Sequence, residues 1–311
     1  MLQIVPGDEA ASKELKRSQA RLQEESADRT SLDGISALVD SKRTRLDRGT
    51  YRGNTVVKDT GIEGRGRGLF ATKPIKAGSV ILCEKALAIA LDKDPNNEHG
   101  ALLNTETEKS NDGSHILLLH ELIRNLLHNP SQASRFFDLH AKGYQAGVPR
   151  LVNGTVAVDT SRVNAIIDQN AFACAETRSA DVQRAASLGD TAENSSGLWM
   201  YAAYINHACI GNRHRALLGG MMVVTATKDI AEGQEILVPY RLADANFLET
   251  RKTLSEVWGF DCDCTNCTAE CDPQGNPSAR VDLIRQALDL RTEYRHARCH
   301  QGHSHQCTAL V

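Results

Sequence analysis

Apolar and polar positions change their spacing several times along the chain, and each change marks a different kind of element. Residues 1 to 50 carry charged, alanine-rich stretches such as KELKRSQARLQEE, whose apolar positions do not line one helical face. They read as a solvated helix or a loose arm. From Tyr51 the pattern shortens. Glycines, turn signals and then the run Val80, Ile81, Leu82 are the signature of strands separated by turns. Between about 92 and 195 the period lengthens again. In ILLLHELIRNLLHNP, Leu119, Leu122, Ile123, Leu126 and Leu127 recur at helical spacing until Pro130 stops them. ASRFFDLH and SRVNAIIDQNAFAC predict further helices, and EHGALLNTETEKSNDGS and TRSADVQRAASLGDTAENSSG predict loops. Beyond Tyr240, the residues Phe247, Leu248, Arg251, Leu254 and Trp258 mark one helix. A second is expected over 279–295, ahead of a polar tail.

One phrase occurs twice. ATKPIKAGSVIL at 71–82 and ATKDIAEGQEIL at 226–237 align without gaps and share seven residues. Each reads as strand, glycine-closed turn, strand, so one supersecondary unit is used on both sides of the helical stretch. The expected fold class is therefore α+β, a framework of short strands interrupted by a helical insert.

Composition narrows the possibilities. With 41% hydrophobic and 24% charged residues the chain is globular rather than disordered. A net charge of −3 with both signs interspersed leaves no basic stripe for direct nucleic-acid binding. No apolar run approaches a membrane span, and the first residues lack the apolar core of a secretory signal. Of nine cysteines, Cys83 and Cys174 stand alone, while Cys262, Cys264, Cys267 and Cys271 crowd into ten positions. Such a cluster reads as metal-binding rather than as a disulfide frame, and it points to a reducing compartment, nucleus and/or cytoplasm.

Three stretches carry candidate chemistry. GIEGRGRGLF fails the dinucleotide fingerprint, because the third glycine position counted from Gly64 falls on Leu69, and it lacks the Lys-Ser/Thr of a Walker loop. What remains is a backbone that approaches a ligand closely, or a plain tight turn. In WGFDCDCTNCTAEC, Cys262, Cys264 and Cys267 supply three ligands for tetrahedral zinc, and the fourth is Cys271 or Cys209. Spacing does not choose between them. In YAAYINHACIGN, Asn206 and His207 are a buried polar pair holding a turn, or a pair facing a ligand. The tail RHARCHQGHSHQCTALV offers His and Cys that bind a transition metal or are simply polar terminus.

The order of these motifs resembles the SET-domain protein lysine methyltransferases. Gly66-Arg67-Gly68-Leu69-Phe70 is followed by Asn206-His207-Ala208-Cys209, by GQEILVPY ending at Tyr240, and by Trp258-Gly259-Phe260 with the cysteine triplet. The likeness is to the split-SET subgroup, which includes SET-and-MYND proteins and fungal proteins pairing SET with helical repeats. It implies a SET domain over 51–260 and a zinc-bound post-SET segment over 261–271, ahead of the short helix and tail over 272–311. It also implies roles. Gly66, Arg67 and Gly68 match the loop around S-adenosylmethionine. Asn206 and His207 match the pair holding the amino-acid and adenine ends. Phe260 matches the adenine cover, Asn170 an insert residue touching the cofactor, and Tyr240 the hydroxyl at the methyl-transfer point. Cys209, Cys262, Cys264 and Cys267 match the zinc ligands. Tyr201 and Tyr204 either line the lysine channel or are ordinary core aromatics.

Departures from the pattern accompany the likeness. A MYND finger is not expected, since Cys174 is the one cysteine between Cys83 and Cys209. Ala208 replaces the usual serine. Gly211 replaces a proline and is expected to loosen its loop, Arg213 is bulkier than expected, and Pro239 restricts Val238. The implied activity is methyl transfer to lysine in a protein substrate, histone or otherwise, by a monomer. A free lysine has a pKa near 10.4, so only about one in a thousand is neutral at physiological pH. An apolar channel beside a sulfonium would favour the neutral form without a carboxylate base. A SET-shaped scaffold with structural zinc and little turnover, or a plain zinc interaction protein, are the competing classes.

Overall fold

The computed structural model describes residues 8–26, 46, 48–90, 102–104, 109–111, 113–144, 151–152, 155–174, 195–218, 220–240 and 247–271. Contacts divide the chain into two units. The first comprises Met1–Gln183, Thr191–Asn206 and Asn212–Ile236; the second comprises Arg184–Asp190, His207–Gly211 and Leu237–Val311. The helix expected over 279–295, the His-rich tail and most of the loop over 177–197 lie outside the described residues.

The first unit holds the strand framework. β1 (Tyr51–Arg52), β4 (Val80–Lys85), β14 (Met221–Ala226) and β13 (Arg213–Leu218) form an antiparallel sheet in the order β1-β4-β14-β13. Its two inner strands are continuous apolar runs because both faces are covered: Ile81, Leu82, Met221, Met222 and Val224 are wholly buried. Cys83 joins this core beside Tyr51, Met221 and Val223, and burial pushes its thiol up to about 11, leaving it a packed hydrophobe.

The two copies of the repeated phrase are hydrogen-bonded to each other. Ile75 N donates to Ile230 O at 2.9 Å and Ile230 N donates to Ile75 O at 2.8 Å. On either side, Ala71 N reaches Gln234 O at 2.9 Å and Ala226 N reaches Ser79 O at 3.0 Å. Ile75 and Ile230 occupy the same place in the phrase, so the copies meet antiparallel about a local two-fold centred on that pair. Each turns at a glycine with positive φ, 83° at Gly78 and 76° at Gly233, a conformation that strains any side chain with a Cβ. Mutual pairing of the same backbone path is a physical reason for the shared residues.

The insert contains α2 (Gly113–His128), α3 (Pro130–Phe136) and α4 (Thr160–Asn170). Leu118, Leu122 and Leu126, one every four residues, are wholly buried, whereas Leu127 from the expected stripe is 54% exposed. Asp159 caps α4 by accepting from Arg162 N at 3.1 Å. The predicted helix through NAFAC stops at Asn170. Phe172–Cys174 is instead strand β10, paired with β11 (Ser195–Leu198), which pairs in turn with β5 (Ala88–Ala90). Sheet pairing and the edge-on contact of Phe172 with Trp199, 6.0 Å between centroids, override the helical pattern. The expected loops also hold strands: β6 (Leu102–Asn104) pairs with β7 (Lys109–Asn111), and Ser195–Gly197 open β11. A further hairpin joins β8 (Leu151–Val152) to β9 (Thr155–Val156).

The N-terminal arm contains α1 (Glu9–Ser26), largely exposed but tied at its end, where Gly49 N donates to Glu24 Oε2 at 2.7 Å. A Cβ on Gly49 would lie 2.5 Å from Arg21 O, so the glycine permits this docking. In the second unit, β15 (Leu237–Val238) precedes α5 (Phe247–Thr253), which runs into a π-helical turn at Leu254–Trp258 and then α6 (Thr265–Glu270). Gly259, with φ 78°, closes that turn by donating to Leu254 O and Ser255 O.

One buried carboxyl braces the first unit. Glu84 in β4 accepts from Tyr201 N at 2.7 Å and Ala202 N at 2.9 Å, fixing the turn that carries both tyrosines. Burial pushes its carboxyl from 4.5 up to about 7, against the opposing pull of these amides and of Arg135. A carboxyl whose folded value is raised contributes its stability in full below the unfolded value, and that contribution is lost as pH climbs to the folded one. The melting temperature of the wild type is therefore expected to fall between pH 4.5 and about 7, a drop that Glu84→Gln removes. Parallel pH profiles for the two proteins in thermal unfolding would contradict this.

Candidate active site and metal centre

In the first unit, β2 (Thr55–Asp59) and β3 (Arg67–Ala71) form a hairpin whose register pairs Asp59 with Arg67 and Lys58 with Gly68. The loop between them is the glycine stretch, with Gly61, Gly64 and Gly66 at φ of 70°, 78° and 67°. Thr60 closes it, its hydroxyl donating to Gly66 O at 2.8 Å. Nothing lies within 4 Å of the Cβ position of Gly66, so its backbone is open to an approaching group. Gly68 is the opposite case. A Cβ there would overlap Glu235 Oε1 and sit 2.9 Å from Asn206 Nδ2. That vacancy lets Asn206 lie against β3, where its amide donates to Arg67 O at 3.1 Å and to Glu235 Oε1 at 2.7 Å.

Beside this hairpin is a cavity of about 410 Å³, within the range of small-ligand pockets. Tyr201 and Tyr204 both line it, together with Arg52, Arg67, Arg135 and Asp138. Arg67 is ion-paired to Asp138, and its Nη2 also donates to Asp138 O at 2.7 Å. Tyr204 donates to Asp138 Oδ2 at 3.2 Å, and burial first, then that carboxylate, push its phenol up. Asn170 is not among the residues lining this cavity. Its Nδ2 donates to His140 O and Ile166 O, both at 2.8 Å, so its donors close the end of α4 and its carbonyl oxygen is what remains for any ligand.

The second unit gathers the other candidates. Cys209, Cys262, Cys264 and Cys267 bring their Sγ atoms within 4.8 Å of one another, Cys209 lying 3.4 Å from Cys267 and 4.0 Å from Cys262. Four ligands at about 2.3 Å around a tetrahedral ion would stand about 3.8 Å apart, so this donor set fits a thiolate-bound metal. Cys271 is exposed and accepts from Arg251 Nη1 at 3.0 Å. Where spacing leaves the fourth thiol open, the fold gathers Cys209, and not Cys271, with the triplet.

His207 joins this centre to Tyr240. Its Nδ1 accepts from Tyr240 N at 3.1 Å, which places the ring proton on Nε2, 3.5 Å from Cys209 Sγ. An imidazole N–H directed at a ligating sulfur is the kind of outer contact that fixes a metal ligand. The ring of Tyr240 is nested among His207, Trp258 and Phe260 at centroid distances of 5.3, 5.2 and 6.3 Å. Ala208 N meets Val238 O at 3.0 Å, so the missing serine hydroxyl costs no backbone bond. Gly211 does not leave slack. A Cβ there would be 2.6 Å from Leu237 O and 3.1 Å from Pro239 Cδ, so glycine lets this segment pack tightly.

Several residues around these sites carry no sequence signal of their own. Glu235, Asp138, Arg52 and Arg135 read as ordinary surface charge, and Trp258, though part of the Trp-Gly-Phe stretch, carries no sign that its ring packs on Tyr240. Distance in sequence hides them: Arg52 and Tyr201 are 149 positions apart.

Comparison with protein families matches residues 66–241 to the SET domain. The chain is 31% identical over 278 residues to a methyltransferase of Gibberella zeae, covering 86% of this chain and 38% of that protein. It is 32% identical over 77 residues to the potential protein lysine methyltransferase SET6 of Saccharomyces cerevisiae, covering 24% of this chain and 21% of that one. It is 33% identical over 82 residues to the protein-lysine N-trimethyltransferase SMYD5 of Mus musculus, covering 25% and 20%. The chain spans less than two-fifths of the length of each of these relatives. With more than half of its residues inside the matched region, the chain belongs to the SET-domain family.

Proposed function

We propose that this protein binds S-adenosylmethionine and transfers its methyl group to the side-chain amine of a lysine in a protein substrate. The observation that carries the reading is the nest of Tyr240, His207 and Phe260 built onto four clustered thiols, residues that the sequence scatters over sixty positions. When bound, S-adenosylmethionine supplies an electrophilic methyl group on a sulfonium. The chain's own residues position the reactants, which in an in-line displacement supplies much of the rate. The open backbone at Gly66 and the amide of Asn206 serve the cofactor's amino-acid end, with Arg67 and Gly68 completing the loop. His207 and Phe260 serve the adenine. The hydroxyl of Tyr240 orients the incoming amine and limits the room around the methyl group. No carboxylate base is required, because the amine reacts in its neutral form.

In this reading the metal is zinc, held by Cys209, Cys262, Cys264 and Cys267, and it ties the segment after Trp258 to the Asn-His-Ala-Cys stretch. We place the chain in the split-SET subgroup without a MYND finger, acting as a monomer on protein rather than nucleic acid in the nucleus and/or cytoplasm. The interspersed charge and the dense intracellular-type thiols support that placement.

Isothermal titration of the zinc-loaded protein with S-adenosylmethionine tests the reading. Saturable one-to-one binding is expected, and a folded, metal-loaded sample that binds none would favour a scaffold. Gly68→Ala is expected to weaken binding about tenfold or more, since its Cβ displaces Glu235 or Asn206; a tenfold loss corresponds to about 1.4 kcal/mol. Unchanged affinity would remove Asn206 from the site.

A further inference from the structure

The cavity beside β3 is more positive than a lysine-accepting channel needs to be. Three guanidiniums line it against one carboxylate, and that carboxylate, Asp138, is paired with Arg67. Arg52, on β1, and Arg135, in the last turn of α3, lie over the ring of Tyr201 at 4.5 and 4.2 Å, and both donate to its hydroxyl. Neither has a carboxylate within ion-pair distance among the described residues. Glu84 acts on Arg135 only through space, from a carboxyl that burial pushes up to about 7 and that Tyr201 N and Ala202 N engage. Each guanidinium presents five donors, of which the phenol takes one from each. Two such forks facing one small polar pocket match the two oxygens of a carboxylate.

We propose that Arg52 and Arg135, held apart and aligned by Tyr201, form a receptor for an acidic side chain of the protein substrate, so that the substrate is a lysine-bearing segment with Asp or Glu at a fixed offset. This rests on the methyl-transfer reading, which it extends by specifying what else the substrate must present. Both arginines are exposed, so their field on a neighbouring lysine ammonium is screened, and direct contact with an acidic group is the use their geometry favours.

The test uses the full chain, immobilised with S-adenosylmethionine present, and a peptide library with a central lysine flanked by three randomised positions on each side. Bound peptides are sequenced. The wild type is expected to enrich Asp and Glu about tenfold at one offset, equivalent to about 1.4 kcal/mol, and added salt should erode that preference. Arg52→Gln with Arg135→Gln should abolish it, and the paired Arg→Lys variant should restore part of it. No acidic enrichment by the wild type, or equal enrichment by the Gln variant, overturns the proposal. So does weakened S-adenosylmethionine affinity in the Gln variant, which would assign the guanidiniums to the cofactor's own carboxylate. Tritiated methyl transfer to the same library is scored separately: acidic enrichment with no label on any peptide leaves the receptor standing and counts against methyl transfer.

Discussion

Serine in place of Cys267 is expected to strip the metal from the protein and to make the 254–271 segment susceptible to protease. Cys267 is 1% exposed and its sulfur lies 3.4 Å from that of Cys209, so no other described thiol is placed to substitute for it. Without a cation, burial holds three of the four sulfurs as neutral thiols. Burial pushes Cys209 up to about 12 and raises Cys262 and Cys267 as well; at Cys264 burial also pulls upward, but hydrogen bonds from Cys267, Cys209 and Cys262 together outweigh it and bring the thiol down to about 7. A bound dication is what would draw all four into the thiolate form. Structural zinc contributes about 10–16 kcal/mol in small zinc domains, so its loss should dominate the behaviour of this segment. Zinc per chain, measured by atomic emission, should be one in the wild type and in Cys271→Ser, and should fall sharply in Cys267→Ser and Cys209→Ser. Retention of zinc by Cys209→Ser, or its loss from Cys271→Ser, would show that a different set of thiols binds it.

The second large effect concerns one oxygen atom. Tyr240→Phe keeps the ring that packs on His207, Trp258 and Phe260, so folding and zinc content should be unchanged. The backbone bond from Tyr240 N to His207 is also kept. What is lost is the hydroxyl that orients the amine, and removal of a positioned hydrogen-bonding group of this kind costs about 10²- to 10³-fold in rate. S-adenosylmethionine affinity should change little, so the loss belongs in turnover. A variant that turned over at the wild-type rate would remove Tyr240 from the reaction.

Much of this was legible in the sequence, for reasons that differ by element. The strands around Val80–Leu82 and the repeated phrase were visible because alternation, turns and glycine are local signals. The pairing of Ile75 with Ile230 was not, since nothing in either copy states that its partner is the other copy. NAFAC reads as helix only as the run-on of SRVNAIIDQ, where Val163, Ile166 and Ile167 keep helical spacing. The strand is imposed from outside, by residues 195 to 198 across a long excursion of the chain. Spacing identified three thiols and left the fourth open, because the choice between Cys209 and Cys271 is made by how the chain folds back, not by their distance along it. Arg52 and Arg135 reach Tyr201 from two other elements, and each arginine alone looks like surface charge.

Transfer of a tritiated methyl group from S-adenosylmethionine to histones and to whole-lysate protein, with hydrolysis and identification of the labelled amino acid, tests the central claim most directly. Wild type and Tyr240→Phe are run side by side, both zinc-loaded. The account predicts label on methyl-lysine with the wild type and background with the variant. Equal labelling by the two, or no labelling by a wild type that binds the cofactor, contradicts it.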